Sequence, residues 1–246
     1  MQLPACNDLR SSRELTLESS TLPSTTDAAT ATRLVIDVVS DVVCPWCYIG
    51  KRKLEAALAE LGRAEPALSI ERRWHPFQLN PDLPSGGIPR AEYLEAKFGG
   101  KARAAEIYAR IRAVGEEVGI VFDFDRIARQ PNTLDAHRLI AWAQQSGDAD
   151  PLVERLFRAY FLESRFVGDR DELVSIAMAT GLPESGAREL LDSDRLLGEV
   201  EAESREAQEA GITGVPFFIF NGRTAVSGAH DPPMLLEAIR AALAAQ

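Results

Sequence analysis

The sequence predicts an α/β fold whose sheet-bearing core is interrupted by a large all-helical insertion. Three observations predict it. Two apolar strand patterns, residues 34–40 and 67–74, flank a helical pattern. After a connection punctuated by proline and glycine, residues 75–87, almost every segment up to residue 193 has helical periodicity. Strand patterns then return at 217–220 and 224–227, with Asn221-Gly222 as a tight hairpin signal between them and one more helix behind them.

Residues 1–32 are rich in Ser and Thr and poor in periodic apolar positions, so a flexible tail is expected there. Its thiol, Cys6, reads as incidental, with a regulatory disulfide to Cys44 as the alternative. The strand at 34–40, a helix over about 46–62 and the strand at 67–74 form a β-α-β unit, which brings its strands parallel through a right-handed crossover. Helices are predicted at 90–98 and at 101–118, the second stopped by Gly119. Residues 120–124 read as a short extended link, and a helix is predicted over about 133–145. Asp150-Pro151 reads as N-cap and first residue of the next helix, and Asp169 with Glu172 as a capping box. Further helices fall near 184–192 and 195–210, and Asp231-Pro232-Pro233 opens the last one. Without the helical block, the remainder is a thioredoxin-like core. The expected domains are the tail 1–32, core segments 33–78 and 194–246, and the helical insertion 79–193.

The chemistry-bearing stretch is Cys44-Pro45-Trp46-Cys47, at the junction of the first strand and first helix. The first turn of a helix has free N–H groups and a partial positive charge, both of which stabilise a thiolate at Cys44 and so its reactivity. Pro45 suits the first helical position, where an N–H has no intrahelical partner. Cys47, one turn on, is spaced to attack a mixed disulfide formed at Cys44 and release the partner.

Composition narrows the class. Twenty-seven basic against thirty-seven acidic residues leave a net charge of −10, which argues against a nucleic-acid partner and an anionic membrane surface. Three cysteines in 246 residues do not make a disulfide scaffold. With no secretory pattern and no apolar run long enough to span a bilayer, the expected location is cytoplasmic. A structural zinc needs about four ligands. Beyond the pair only Cys6, His75, His137 and His230 are available, at unhelpful spacings, so no metal is expected.

Four stretches together resemble the DsbA family of thiol–disulfide oxidoreductases, and more closely its FrnE-like branch. They are residues 40–50 around the cysteine pair, 76–81 (Pro-Phe-Gln-Leu-Asn-Pro), 132–139 (Asn-Thr-Leu-Asp-Ala-His-Arg-Leu) and 214–218 (Gly-Val-Pro-Phe-Phe). The resemblance implies a DsbA-like fold, Cys44 as attacking and Cys47 as resolving thiol, and Val215-Pro216 as a cis-proline loop beside them. A cis turn there leaves extended backbone at Val215 that can pair with an incoming peptide. Asn132 and His137 resemble positions facing the cleft; His75 reads as a group that faces Cys44 or as a structural histidine, and Trp46 as shaping and shielding the site. In two respects the chain departs from the pattern. Thioredoxin-like enzymes often carry a carboxylate six residues before the first cysteine, where this chain has Val38, with Asp37 and Asp41 at other offsets. A second cysteine pair near the carboxy terminus, present in some FrnE-like members, is absent.

The favoured reading is dithiol–disulfide exchange on protein clients or small thiols, by a monomer or homodimer. No cofactor is required beyond glutathione or another low-molecular-weight thiol as co-substrate. The helical segment is expected to lid the thiols, leaving a cleft between domains. Two other readings are a glutathione-dependent isomerase or transferase related to 2-hydroxychromene-2-carboxylate isomerase, which typically has serine at the first cysteine position, and a client-binding chaperone whose thiols are incidental.

Overall fold

Alternation decides the first strand. Leu34, Ile36 and Val38 are fully buried while Val35 and Asp37 between them are half-buried, so a core lies against one face and a partly open surface against the other. In the computed structural model, which describes residues 33–245, this strand is β1 (Arg33–Ser40). The expected tail and Cys6 lie outside the described residues. Helix α1 (Pro45–Ala64) and strand β2 (Ser69–Pro76) follow. Then come β3 (Ile88–Pro89), α2 (Arg90–Phe98), α3 (Lys101–Glu117), a 3₁₀ turn at Phe124–Arg126 and β4 (Arg129–Gln130). Four helices continue the chain: α4 (Leu134–Gln144), α5 (Asp150–Phe161), α6 (Arg170–Met178) and α7 (Glu184–Asp192). The last elements are α8 (Leu197–Glu209), β5 (Phe217–Phe220), β6 (Thr224–Ser227) and α9 (Pro232–Ala244).

The main sheet has the order β2-β1-β5-β6, so the β-α-β unit and the hairpin meet at β1. β1 and β2 are parallel, with Val39 opposite His75. β5 lies antiparallel to β1, placing Phe218 opposite Val38, and β6 antiparallel to β5. At the hairpin Asn221 and Gly222 have φ of 51° and 64°, the paired left-handed conformation that suits Asn-Gly in a two-residue turn. Asn221 Oδ1 also accepts the Val35 N–H at 2.8 Å, fixing the hairpin to β1. Helix α1 packs on α9, which also touches β5 and β6, while α4 and α8 pack on each other and on β2.

Aromatic packing joins α1 to the helices between β2 and β5. Tyr48 stacks on Phe157 of α5 at 4.9 Å, and Phe122, Phe124 and Phe161 continue the cluster through stacked and edge-on contacts. Each fully buried ring contributes about 2 kcal/mol of burial plus its pairing geometry.

Three helix starts depart from the sequence reading. Asp150 is the first residue of α5 and caps nothing; its carboxylate faces Lys51 at 3.2 Å and Arg72 at 3.2 Å. Asp231 is the N-cap residue of α9, but its side chain pairs with Lys53 at 2.6 Å and makes no capping bond. Asp169 does accept the Glu172 N–H at 2.9 Å, whereas the Glu172 carboxylate turns to Arg165, so only half of a capping box forms. The β3–β4 pair also went unread, since two residues are too few to show a period.

Candidate active site

β1 delivers the chain to the site and α1 starts it. Past Ser40, a turn closed by Cys44 N–H to Asp41 O at 3.0 Å brings Cys44 to the N-cap position of α1, with extended backbone at φ −92°, ψ 112°. No side chain caps this helix, and its first-turn N–H groups point toward the Cys44 end. Pro45 occupies the first turn, Trp46 projects outward with 40% of its surface exposed, and Cys47 turns inward with 2% exposed. Both cysteines are free thiols.

The Val215–Pro216 peptide bond is cis. The Cys44 thiol donates to Val215 O at 3.5 Å, so this loop and the thiol pair are in direct contact. The loop is held from both sides: Pro216 O accepts the Gly228 N–H at 2.8 Å, and α1 comes close enough that a β-carbon at Gly50 would sit 2.8 Å from Pro216 Cγ. Glycine at 50 is thus the residue that allows this approach.

Cys47 sits in a different electrostatic setting. Burial pushes its thiol well above the ordinary range, and the neighbouring Cys44 sulfur raises it further. Hydrogen bonds from the Ser40 side chain and from the Asp41 backbone work in the opposite direction. Asp41 itself is fully buried, its Oδ2 accepting the Leu79 N–H at 2.9 Å and its Oδ1 the Val43 N–H at 3.4 Å. It therefore pins the start of the long connection to the turn before Cys44.

The remaining residues singled out in the sequence separate. His75 has both ring nitrogens occupied, Nε2 by Asp37 Oδ1 at 2.9 Å and Nδ1 by Glu203 of α8, which leaves neither for Cys44. Burial disfavours its charged form, but Glu203 and Asp37 outweigh this and its pKa is raised. Asn132 is a staple: Oδ1 accepts from Gln78 Nε2 at 3.2 Å and Leu134 N at 2.9 Å, while Nδ2 donates to Pro81 O and Leu83 O at 3.2 and 2.7 Å. His137, on α4, is buried with Nε2 3.4 Å from Asp41 Oδ1 but in no hydrogen bond. Ser40 and Gly50 were given no role from the sequence, and Asp41 was noted only for its offset from Cys44. Their signal was positional: Ser40 shares the inward face of β1 with Val38, and Gly50 is an unexplained glycine inside a helical pattern. Among the described residues no group of three or more His, Cys, Asp or Glu is arranged to hold a metal ion.

Fold and site together define the class, thioredoxin-fold proteins with a thiol pair at the start of the first helix and a helical segment after the second strand. Residues 35–240 match the DSBA-like thioredoxin domain, and the chain belongs to this family of thiol–disulfide oxidoreductases. A probable DsbA oxidoreductase from Streptomyces coelicolor is 30% identical, with 87% of this chain and 91% of that one covered and a TM-score of 0.76. Two solved structures are similar in fold alone. The cytosolic disulfide reductase DsbM from Pseudomonas aeruginosa, solved with GSH, is 20% identical over 85% of this chain and 96% of that one, with a TM-score of 0.57. A 2-hydroxychromene-2-carboxylate isomerase is 15% identical over 85% and 96%, with a TM-score of 0.58. A reductase and an isomerase thus share the architecture, and the choice of chemistry rests on the side chains.

Proposed function

We propose that this protein catalyses dithiol–disulfide exchange through Cys44 and Cys47, on protein or low-molecular-weight thiol substrates in the cytoplasm, as an FrnE-like member of its family. The observation that carries this reading is the thiol pair, both cysteines buried, with Cys44 at an uncapped helix N-terminus against Val215 O and burial raising the Cys47 thiol well above the ordinary range.

In the reducing direction the Cys44 thiolate attacks a substrate disulfide, forming a Cys44–substrate bond and releasing one substrate thiolate. Cys47 then loses its proton and attacks Cys44 Sγ; the Cys44–Cys47 bond forms, the second substrate thiolate leaves, and two electrons have passed to the substrate. The oxidising direction is the reverse. Val215 offers its backbone to an extended substrate next to the sulfur and Trp46 covers it; the contact of Val215 O with Cys44 and the exposure of Trp46 support this assignment. Glutathione fits as the co-substrate that recycles the pair. Asn132 and His75 are assigned to holding the surrounding elements.

The test is insulin disulfide reduction and dithiol-peptide oxidation with wild type, Cys44→Ser and Cys47→Ser. Exchange requires loss in the first variant and a trapped mixed disulfide in the second. Undiminished turnover of a glutathione-activated small substrate by Cys47→Ser would point instead to an isomerase. Client protection unchanged in both variants, without exchange in wild type, would leave a chaperone.

A further inference from the structure

Glycine is the least favourable residue inside a helix apart from proline, yet Gly50 stands buried in the interior of α1, one turn past Cys47. A β-carbon there would lie 2.8 Å from Pro216 Cγ, 3.4 Å from Pro216 Cβ and 3.2 Å from Phe218 Cζ. Carbon atoms pack at about 3.5 to 4.0 Å, so any side chain at this position parts α1 from the loop by roughly 0.7 Å. Neither neighbour gives way alone, since the proline ring is part of the loop backbone and Phe218 is fully buried opposite Val38. The loop hangs on α1 a second time. Pro216 O accepts the Gly228 N–H at 2.8 Å, and Lys53, one turn past Gly50, donates to Ala229 O at 3.3 Å and pairs with Asp231 at 2.6 Å. The Val215 carbonyl carbon is bonded to the Pro216 nitrogen, so whatever moves the ring moves the oxygen that faces Cys44 at 3.5 Å.

We propose that Gly50 sets the substrate class of the thiol site: by bringing the Val215 backbone against Cys44 it makes the site one for extended polypeptide segments, whereas a side chain at this position would leave a site for small disulfides alone. The proposal rests on the exchange reading above and deepens it. An extended peptide must present its sulfur to Cys44 and its backbone to Val215 at once, so it registers the gap between them. A small disulfide meets the sulfur only. The covalent step is the same for both: the Cys44 thiolate bonds to one substrate sulfur, and the electron pair of the broken bond leaves with the other sulfur as thiolate. Gly50 touches no reacting atom and acts through the loop, as a positioning residue.

Two disulfides with the same leaving group read the gap. One is 5,5′-dithiobis(2-nitrobenzoate), which carries no peptide; the other is an extended peptide whose single cysteine is disulfide-bonded to thionitrobenzoate. The protein is the reduced full chain carrying Cys6→Ser, so that only the pair reacts, and the first release of thionitrobenzoate is followed. In Gly50→Ala the rate constant for the peptide, divided by that for the small disulfide, falls about tenfold below its wild-type value. An unaltered or raised ratio overturns the proposal, whether both constants fall together or neither moves. Should Gly50→Ala fail to fold, wild type still decides: N-methylation of the peptide amides flanking the cysteine blocks pairing with Val215 and lowers the rate constant about tenfold relative to the reaction of the same peptide with dithiothreitol. Equal relative constants overturn the proposal. Absence of release from either disulfide in wild type would instead sink the exchange reading.

Discussion

Two seams tie the elements that build the thiol site to the helices between β2 and β5, and they use opposite chemistry. The α1 seam is ionic. Lys51, with 2% of its side chain exposed, meets Glu55, Asp150 at 3.2 Å and Glu154 at 3.2 Å, and Arg52 joins Glu154 and the Tyr48 hydroxyl. The β2 seam is mostly neutral. The Gln144 side chain of α4 accepts from Trp74 N and donates to Trp74 O at 2.9 Å, as a neighbouring strand would, and Gln78 reaches Asn132. A strand edge presents a donor and an acceptor per residue, so one amide side chain satisfies both. A helix has no such backbone groups on its flank. Its rotation is instead set by charges that cost several kcal/mol if left buried and unpaired. The ionic seam therefore fixes the rotation of α1, and with it how Trp46 and Cys47 are turned.

The largest expected effect is on the ionic seam. Lys51→Met removes the most buried cation from Asp150 and Glu154, leaving Arg72 and Arg52 as their partners, and should lower stability by about 3 kcal/mol, read as a shift in denaturant midpoint. A change under about 1 kcal/mol would mean that Arg52 and Arg72 suffice. On the neutral seam, Gln144→Ala strips two backbone partners from Trp74 and should cost about 1 to 2 kcal/mol in the same measurement. If it exceeds the lysine variant, the ranking of the seams is reversed.

The pH response separates them further. His75 pairs β2 with α8, and its raised pKa makes its contribution full below the unfolded value near 6.5 and lost as pH rises through the folded value. Stability difference between wild type and His75→Gln should therefore shrink from pH 5.5 to 8.5; a constant difference would remove the ion-pair account. In the ionic seam burial disfavours ionised Glu55, but Lys51 and Arg52 overcome it and lower its pKa. That contribution is present above about 4.5 and lost as pH falls through the folded value. Asp150, raised by burial, changes in the opposite sense, so the smallest effect is best isolated by comparing wild type with Glu55→Gln between pH 3 and 6.

How much of this was legible follows from where each signal resides. Alternation in 34–40, the Asn-Gly turn and the helical periods are local properties, and they fixed β1, the hairpin and most helices to within a few residues. Cys44 and Cys47 announced themselves by spacing. The aspartates at 150 and 231 marked helix starts correctly, yet their side chains went to Lys51 and Lys53, because an ion pair with a distant element is invisible to local reading. The same reason hid the surroundings of the thiols. That His75 would be held by Glu203, 128 positions away, or that Ser40 and His137 would border one cavity, is decided only when β2, α4 and α8 pack together.

Of the three tryptophans, Trp74 and Trp142 are buried at 5% and 9% exposure, and only Trp46, between Cys44 and Cys47, meets solvent. Its emission is therefore a built-in optical gauge of the thiol pair. A ligand that covers the sulfurs changes the solvent-exposed component, while loosening of the interior changes the other two. Docking and unfolding can thus be read apart in one cuvette, without any label.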